Sequence, residues 1–148
     1  MHKSLSVRTN RLLIVLWAAG VLAFALFTRG TIALPVVIGA ACGVVAGLLQ
    51  RTALRSNASA FAETATALDV RHILTSSRSG KTAISVGWIC ALVLLVIAIL
   101  FRQNSQIAAS WFAGYLAFML FRDAIAYSAL RYVLAAAGEL RGRRPTSA

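Results

Sequence analysis

The sequence predicts an all-α integral membrane protein: a single domain of four transmembrane helices, arranged as two hairpins with a basic cytoplasmic central loop. Three observations support this fold class. Hydrophobic residues make up 59% of the 148 residues and charged residues only 13%, whereas soluble domains carry about 45–50% and about 25%. The mean hydropathy is +0.79. The charged residues also lie between long apolar runs, as is typical of membrane helices.

Four apolar runs approach the length of about 20 residues that a helix needs to cross the hydrocarbon core of a bilayer. Short connections join the first two runs and the last two, so each pair is predicted to form a helical hairpin. Pro35 falls in the first turn of the second run, where its missing N–H costs little. The predicted spans are 12–27, 31–49, 83–101 and 107–127, with a cytoplasmic loop at 50–82 and a basic tail at 138–148.

The distribution of Lys and Arg predicts the orientation in the membrane. Three precede the first span, five lie in the central loop and five lie at or beyond the end of the fourth span, against two in the short turns. Because cytoplasmic loops carry an excess of basic residues, both termini and the central loop are expected in the cytoplasm. The bacterial cytoplasmic (inner) membrane is the expected location.

The formal net charge of +11 has the same explanation. Basic residues in cytoplasmic loops meet anionic lipid headgroups, which are therefore expected partners. Nucleic acid is not an expected partner, because the basic residues are not interleaved with aromatic ones.

The central loop is expected to hold a helix over 58–74, because Asn57 is a favoured N-cap residue. Residues 76–80, which read Ser-Ser-Arg-Ser-Gly, are expected to form a flexible connector. The fourth helix is expected to continue beyond the membrane and to end at Gly138.

Three glycines at intervals of four residues mark one face of the second span: Gly39, Gly43 and Gly47. Such a face lets another helix backbone approach closely, which favours association inside a bilayer. The neighbour is either a helix of this chain or a helix of another membrane protein or a second copy. Within the chain, the expected neighbours on the first span are Ala19, Gly20 and Ala23.

Arg122 and Asp123 are the only charges well inside a predicted span. Asp123 should lie roughly 6 Å from the cytoplasmic edge of the hydrocarbon core, counting about 1.5 Å per helical residue. We expect it to pair with a cation of the central loop, such as Arg51 or Arg55, with Lys81 as a further loop cation. Partner recognition and ion handling are the alternative roles for this intramembrane charge pair.

Catalytic and metal-binding patterns are missing from the sequence, so neither an enzyme nor a cofactor is expected. Cys42 and Cys90 lie singly in apolar runs, without a Cys-x-x-Cys motif. The four carboxylates are not expected to converge on a pocket. The middles of the first three spans lack Asp, Glu, Lys and Arg, whereas a proton- or cation-coupled carrier normally places an acid there.

The layout resembles the ATP synthase subunit I family of small bacterial membrane proteins. The resembling features are Gly39 and Gly43 followed by Arg51 and Arg55, the Ser79-Gly80-Lys81 entry to the third span, and Gly114-Tyr115 through Asp123 in the fourth. The resemblance implies four helices and an assembly role, in which the protein helps c-subunits insert and form a ring and favours magnesium uptake.

The first interpretation of function is therefore a non-enzymatic membrane accessory or assembly protein, which acts by packing its helices against partner proteins in the bilayer. A small oligomeric transporter or channel is the second interpretation, and a structural subunit of a larger membrane complex is the third. A polar path through the helices would favour transport, whereas a dry core of glycine and alanine would favour an accessory role.

Overall fold

The computed structural model describes residues 2–28, 33–57 and 74–142, with side chains described within 11–26, 33–57 and 74–131 and at Val133. These residues are helical apart from short turns, which confirms the all-α prediction for the described part of the chain. The four long helices are α1 (His2–Thr28), α2 (Ala33–Ser56), α3 (Arg78–Leu100) and α4 (Ser105–Gly142).

Local hydrogen bonds explain where α3 begins and where it gives way to α4. The Ser77 side chain accepts a hydrogen bond from the backbone N–H of Gly80, at 3.0 Å, as an N-cap residue does. Ser76–Gly80 therefore starts a helix instead of forming the predicted flexible connector. Asn104 plays the same part for α4, because its side-chain oxygen accepts from the N–H of Ile107 at 3.3 Å.

The predicted central loop at 50–82 is too long at both ends. Helix α2 continues to Ser56 and α3 begins at Arg78, so Arg51 and Arg55 lie in the last turns of α2 and Lys81 in the first turn of α3. No Gly or Pro interrupts 48–56, so nothing in the sequence stops the helix where the apolar run ends.

Asn57 closes α2. Its side-chain N–H donates to the carbonyl oxygen of Ala53, at 2.7 Å. The helix predicted over 58–74 lies outside the described residues except for Leu74. At the other end of the chain, Gly138 does not end α4, which runs to Gly142. The basic tail predicted at 138–148 is thus helical in its first residues, and 143–148 lie outside the described part.

Helix α4 is the centre of the fold, because it packs against each of the other three helices. Its most extensive contact is with α2, to which it runs parallel, and α1 lies antiparallel along it. Helix α3 packs against both α2 and α4. The two short connections are as predicted. Among the described residues, however, α1 packs along α4 and not extensively against α2, so this part of the first pair is not a packed hairpin.

Two clusters of buried apolar residues form the core. The first lies between α2, α3 and α4 and consists of Ala46, Ala91, Leu94 and Phe118. The second consists of Leu54, Ala129 and Val133, with Leu74 packed against it. Alanine occupies three of these seven positions, which allows the helices to pack closely there.

Large apolar side chains point outward. Every exposed residue in 12–26, 33–48, 86–101 and 107–127 is apolar; Leu26, Leu100 and Leu12 are 75%, 72% and 70% exposed. Helices α2 and α3 are long and apolar enough to cross a membrane. Exposed polar residues lie only at the ends of these stretches, so the described surface has an apolar middle and polar ends.

Candidate functional site

The close contact between α2 and α4 rests on the three glycines of α2. A Cβ atom on Gly39 would overlap the carbonyl oxygen of Gly114 on α4. At Gly43 a Cβ would lie 2.5 Å from the carbonyl oxygen of Phe118, and at Gly47 it would lie 2.9 Å from the Cβ of Ile125. Because real Cβ atoms do not approach so closely, a side chain on Gly39 or Gly43 would push the two helices apart.

The glycine face therefore packs within the chain, and its neighbour is α4. The sequence suggested Ala19, Gly20 and Ala23 of α1, and that expectation is wrong. Gly20 instead faces α4, where a Cβ would lie 3.0 Å from the Cδ1 of Leu116. Gly114 completes the contact, since a Cβ there would lie 2.5 Å from the carbonyl oxygen of Pro35.

The intramembrane charge pair predicted at Arg122 and Asp123 is an ion pair between sequence neighbours. The Nη2 and Nε of Arg122 lie 2.7 Å and 2.8 Å from the same carboxylate oxygen, Oδ1 of Asp123. Neighbouring positions on a helix point about 100° apart, so the arginine side chain reaches sideways to make this contact. Both side chains are 22% exposed, which places the pair against the protein and not fully in solvent.

Trp17 of α1 completes the environment of the carboxylate. Its indole N–H donates to Oδ2 of Asp123, at 3.2 Å. Both carboxylate oxygens thus accept a hydrogen bond, and a polar contact ties α1 to α4. The sequence suggested Arg51 or Arg55 as partners of Asp123, whereas the structure shows Arg122 of α4 and Trp17 of α1 at its two oxygens.

Arg122 also contacts the core. Its guanidinium carbon lies 5.6 Å from the centre of the Phe118 ring, within the range of a cation–π interaction. Phe118 is fully buried and precedes Arg122 by one helical turn. The arginine is therefore held by a carboxylate on one side and an aromatic ring on the other.

Arg11 and Tyr127 form a second polar link between α1 and α4. The Nε of Arg11 donates to the hydroxyl oxygen of Tyr127, at 3.0 Å. Tyr127 is one helical turn beyond Asp123, so the two polar links follow one another along the same side of α4. Sequence reasoning missed Trp17, Arg11 and Tyr127 as members of the site. A polar-tipped aromatic near the end of an apolar run is the signal that would have indicated them.

A cleft of about 300 Å³ lies next to these links. Four leucines form its apolar wall, and polar groups from α2 and α4 form the rest. We call it the basic-end cleft, because arginines lie here at the start of the apolar part of α1 (Arg11) and after the apolar part of α2 (Arg51 and Arg55). The cleft is lined by Leu13, Gln50, Leu54, Leu74, Arg122, Asp123, Ala126, Tyr127 and Leu130.

Polar side chains at the opposite end of the fold lie around a smaller cavity of about 160 Å³, to which Pro35, Asn104, Gln106 and Ser110 contribute. The buried hydroxyl of Ser110 donates to the carbonyl oxygen of Gln106, at 2.8 Å. Between this end and the basic-end cleft lies the apolar core cluster that includes Phe118. The described residues contain no group of three metal-ligating side chains that could hold an ion.

Comparison of this chain with protein-family models, with curated proteins and with solved structures gave no match. The site itself offers close helix packing, a carboxylate paired with Arg122 and Trp17, and one amphipathic cleft.

Proposed function

We propose that this chain is a multi-pass membrane protein in which all four helices cross the bilayer, and that it acts as a non-enzymatic accessory or assembly protein. The observation that carries the membrane part of this proposal is the surface. Large apolar side chains such as Leu100 and Leu26 face outward, while alanine and glycine are the most frequent residues among those buried in the described interior. A soluble protein rarely exposes large contiguous apolar patches, but lipid covers them without cost.

Helix lengths support four spans. The apolar part of α1, Arg11–Leu26, is roughly 24 Å long at about 1.5 Å per residue, and α4 with 38 residues is roughly 57 Å long. Since α1 extends beyond its apolar part and lies along α4, both helices can cross a hydrocarbon core of about 30 Å together with α2 and α3. The described cations other than Arg102 lie at one end of the fold, which supports a cytoplasmic position for that end in a bacterial cytoplasmic membrane.

The dry middle of the fold favours an accessory role over transport. The core cluster of Ala46, Ala91, Leu94 and Phe118 separates the polar groups at one end from those at the other. A solute or proton path needs polar groups or water across this region. The core instead consists of apolar residues that hold helices together, as the first interpretation requires.

The surface for a partner differs from the one that the sequence suggested. Because α4 covers Gly39, Gly43 and Gly47, the glycine face cannot bind a partner while the fold is intact. The outer face of α3, which exposes Trp88, Leu92 and other large apolar residues, is the more suitable surface. The resemblance to the ATP synthase subunit I family names a candidate partner, the c-subunit.

Photo-crosslinking in native membranes tests the accessory role. A photoreactive amino acid at Leu92, which is 53% exposed, should form an adduct with another membrane protein, which mass spectrometry would identify. The same amino acid at the neighbouring Ala91, which is 8% exposed, is the matched control and should give no intermolecular adduct. Adducts with a second copy only, or with lipid only, would contradict an accessory role.

A further inference from the structure

We propose that the basic-end cleft binds one anionic phospholipid, with the phosphate close to Gln50 and Tyr127 and the start of an acyl chain along the leucine wall. This inference rests on the proposed insertion in a membrane but not on the accessory role. The cleft arises because the described parts of α1 and α2 both pack on α4 without packing extensively on each other, which leaves a space between them.

The size and lining of the cleft suit an amphiphile. Its volume of about 300 Å³ is at the small end of ligand sites, so it accommodates one headgroup or a stretch of one chain but not a folded segment of protein. Leu13 comes from α1 and Leu54 from α2, so the apolar wall spans both helices. It also adjoins the outward apolar surface of α1, where Leu12 and Leu16 are exposed, as an acyl chain requires.

Hydrogen-bond donors in the cleft are available for a phosphate. The amide of Gln50 has no hydrogen-bond partner among the residues described. The Tyr127 hydroxyl accepts from Arg11, which leaves its own proton to be donated. Two such donors at the edge of an apolar cleft match the oxygen atoms of a phosphate group.

The charges also favour an anion. Asp123 is the only carboxylate among the described side chains, and its charge is met by Arg122 and by the indole of Trp17. Arg11 then adds a positive charge beside Tyr127, and Arg51 follows Gln50 on α2. An anionic headgroup would therefore meet a net positive environment, whereas a zwitterionic headgroup would bring its own cation into it.

Native mass spectrometry of the detergent-purified full chain tests this site. The probes are dioleoyl phosphatidylglycerol and dioleoyl phosphatidylcholine at equal concentration. The protein should retain one phosphatidylglycerol with several-fold higher occupancy than phosphatidylcholine. Gln50→Leu should weaken this retention about five-fold, the change expected for loss of one hydrogen bond. Ala126→Phe, which fills the cleft, should abolish it.

Two control variants separate a specific site from general attraction. Gln106→Leu makes the same amide-to-leucine change at the opposite end, and Lys81→Gln removes a charge at the basic end outside the cleft. Both should retain phosphatidylglycerol like the unmodified protein. If Lys81→Gln weakens retention as much as Gln50→Leu does, diffuse attraction explains the binding and the site is wrong.

Two further results would overturn the proposal. Unchanged retention in both Gln50→Leu and Ala126→Phe would show that the cleft does not hold the lipid. Displacement of the lipid by millimolar glycerol 3-phosphate, with that anion bound in its place, would show a soluble-anion site without a chain-binding part. Size-exclusion chromatography would check that Ala126→Phe is folded. If that variant does not fold, Gln50→Leu alone tests the site. None of these results affects the crosslinks expected from Leu92.

Discussion

Gly39 and Gly114 meet where α2 and α4 approach most closely, and each tolerates the other only because both lack a side chain. The same principle extends along the contact, where Gly43 meets the backbone of Phe118. In the proposed lipid environment there is no hydrophobic drive between helices, so such close approach and its dispersion contacts are the main source of association. Gly39 and Gly43 should therefore contribute more to the stability of the fold than residues without side chains usually do.

Replacing Gly39 or Gly43 by alanine should destabilise the fold by about 2 kcal/mol, the usual cost of overpacking. The helices must separate to accommodate the new methyl group. Unfolding in mixed micelles with increasing sodium dodecyl sulfate, followed by circular dichroism, would measure the free energy of unfolding.

Gly87→Ala is the matched control for this prediction. A Cβ at Gly87 would meet only the end of the Gln50 side chain, at 4.0 Å, so there is room for a methyl group. Alanine is also the better helix former by up to about 1 kcal/mol. Gly87→Ala should be neutral or stabilising. Equal loss of stability in Gly39→Ala and Gly87→Ala would contradict the close α2–α4 contact.

The four helices could be predicted from the sequence, whereas the contacts between them could not. The apolar runs and Pro35 indicated all four helices, because length and hydropathy are local properties. The glycines indicated a close contact but not the helix that makes it, since Gly114 is matched to Gly39 only in three dimensions. Trp17 was missed as a partner of Asp123 for the same reason: its role depends on α1 lying along α4.

Helices α2 and α3 should be joined by oxidation of the two natural cysteines. Cys42 of α2 and Cys90 of α3 pack against the same core cluster, which brings the two thiols to the same α2–α3 contact. Copper phenanthroline should therefore form an intramolecular disulfide. With a protease site inserted into 58–73, the two halves should remain joined on a non-reducing gel after cleavage and separate on reduction.

Moving the second cysteine gives the control for this crosslink. In a Cys90→Ser variant, Leu92→Cys places the thiol on the exposed face of α3, away from α2, and should give no crosslink to Cys42. If both arrangements crosslink equally, α2 and α3 are not fixed relative to each other and the packing described for them is wrong.

The whole molecule combines an apolar middle with a strongly basic end. Arg11, Arg51, Arg55, Lys81 and Arg131 surround the end where α1 enters and α4 leaves the apolar region, while Arg102 lies at the other. Composition and charge counts could predict this polarity from the sequence, because both depend on the number of residues and not on their contacts. The cleft could not be predicted, since its lining comes from three helices and Leu74.

This polarity predicts the accessibility of each end to a membrane-impermeant maleimide in intact cells. In a background with Cys42→Ser and Cys90→Ser, the variant Asn104→Cys should be labelled from outside. Ser79→Cys, at the basic end, should be labelled only after the membrane is permeabilised. Labelling of Ser79→Cys alone in intact cells would reverse the proposed orientation, and labelling of neither before permeabilisation would contradict a spanning α3–α4 pair.

The parallel contact of α2 with α4 has a consequence for biosynthesis. Gly39 and its counterpart Gly114 are separated by all of α3 and by the segment that precedes it, so the ribosome completes α2 well before α4 exists. At 5–20 residues per second, roughly 4–15 s pass between synthesis of the two positions. During that interval α4 does not yet cover the glycine face of α2, which in the proposed topology faces the translocon or the lipid, and the last helix to be synthesised completes the fold.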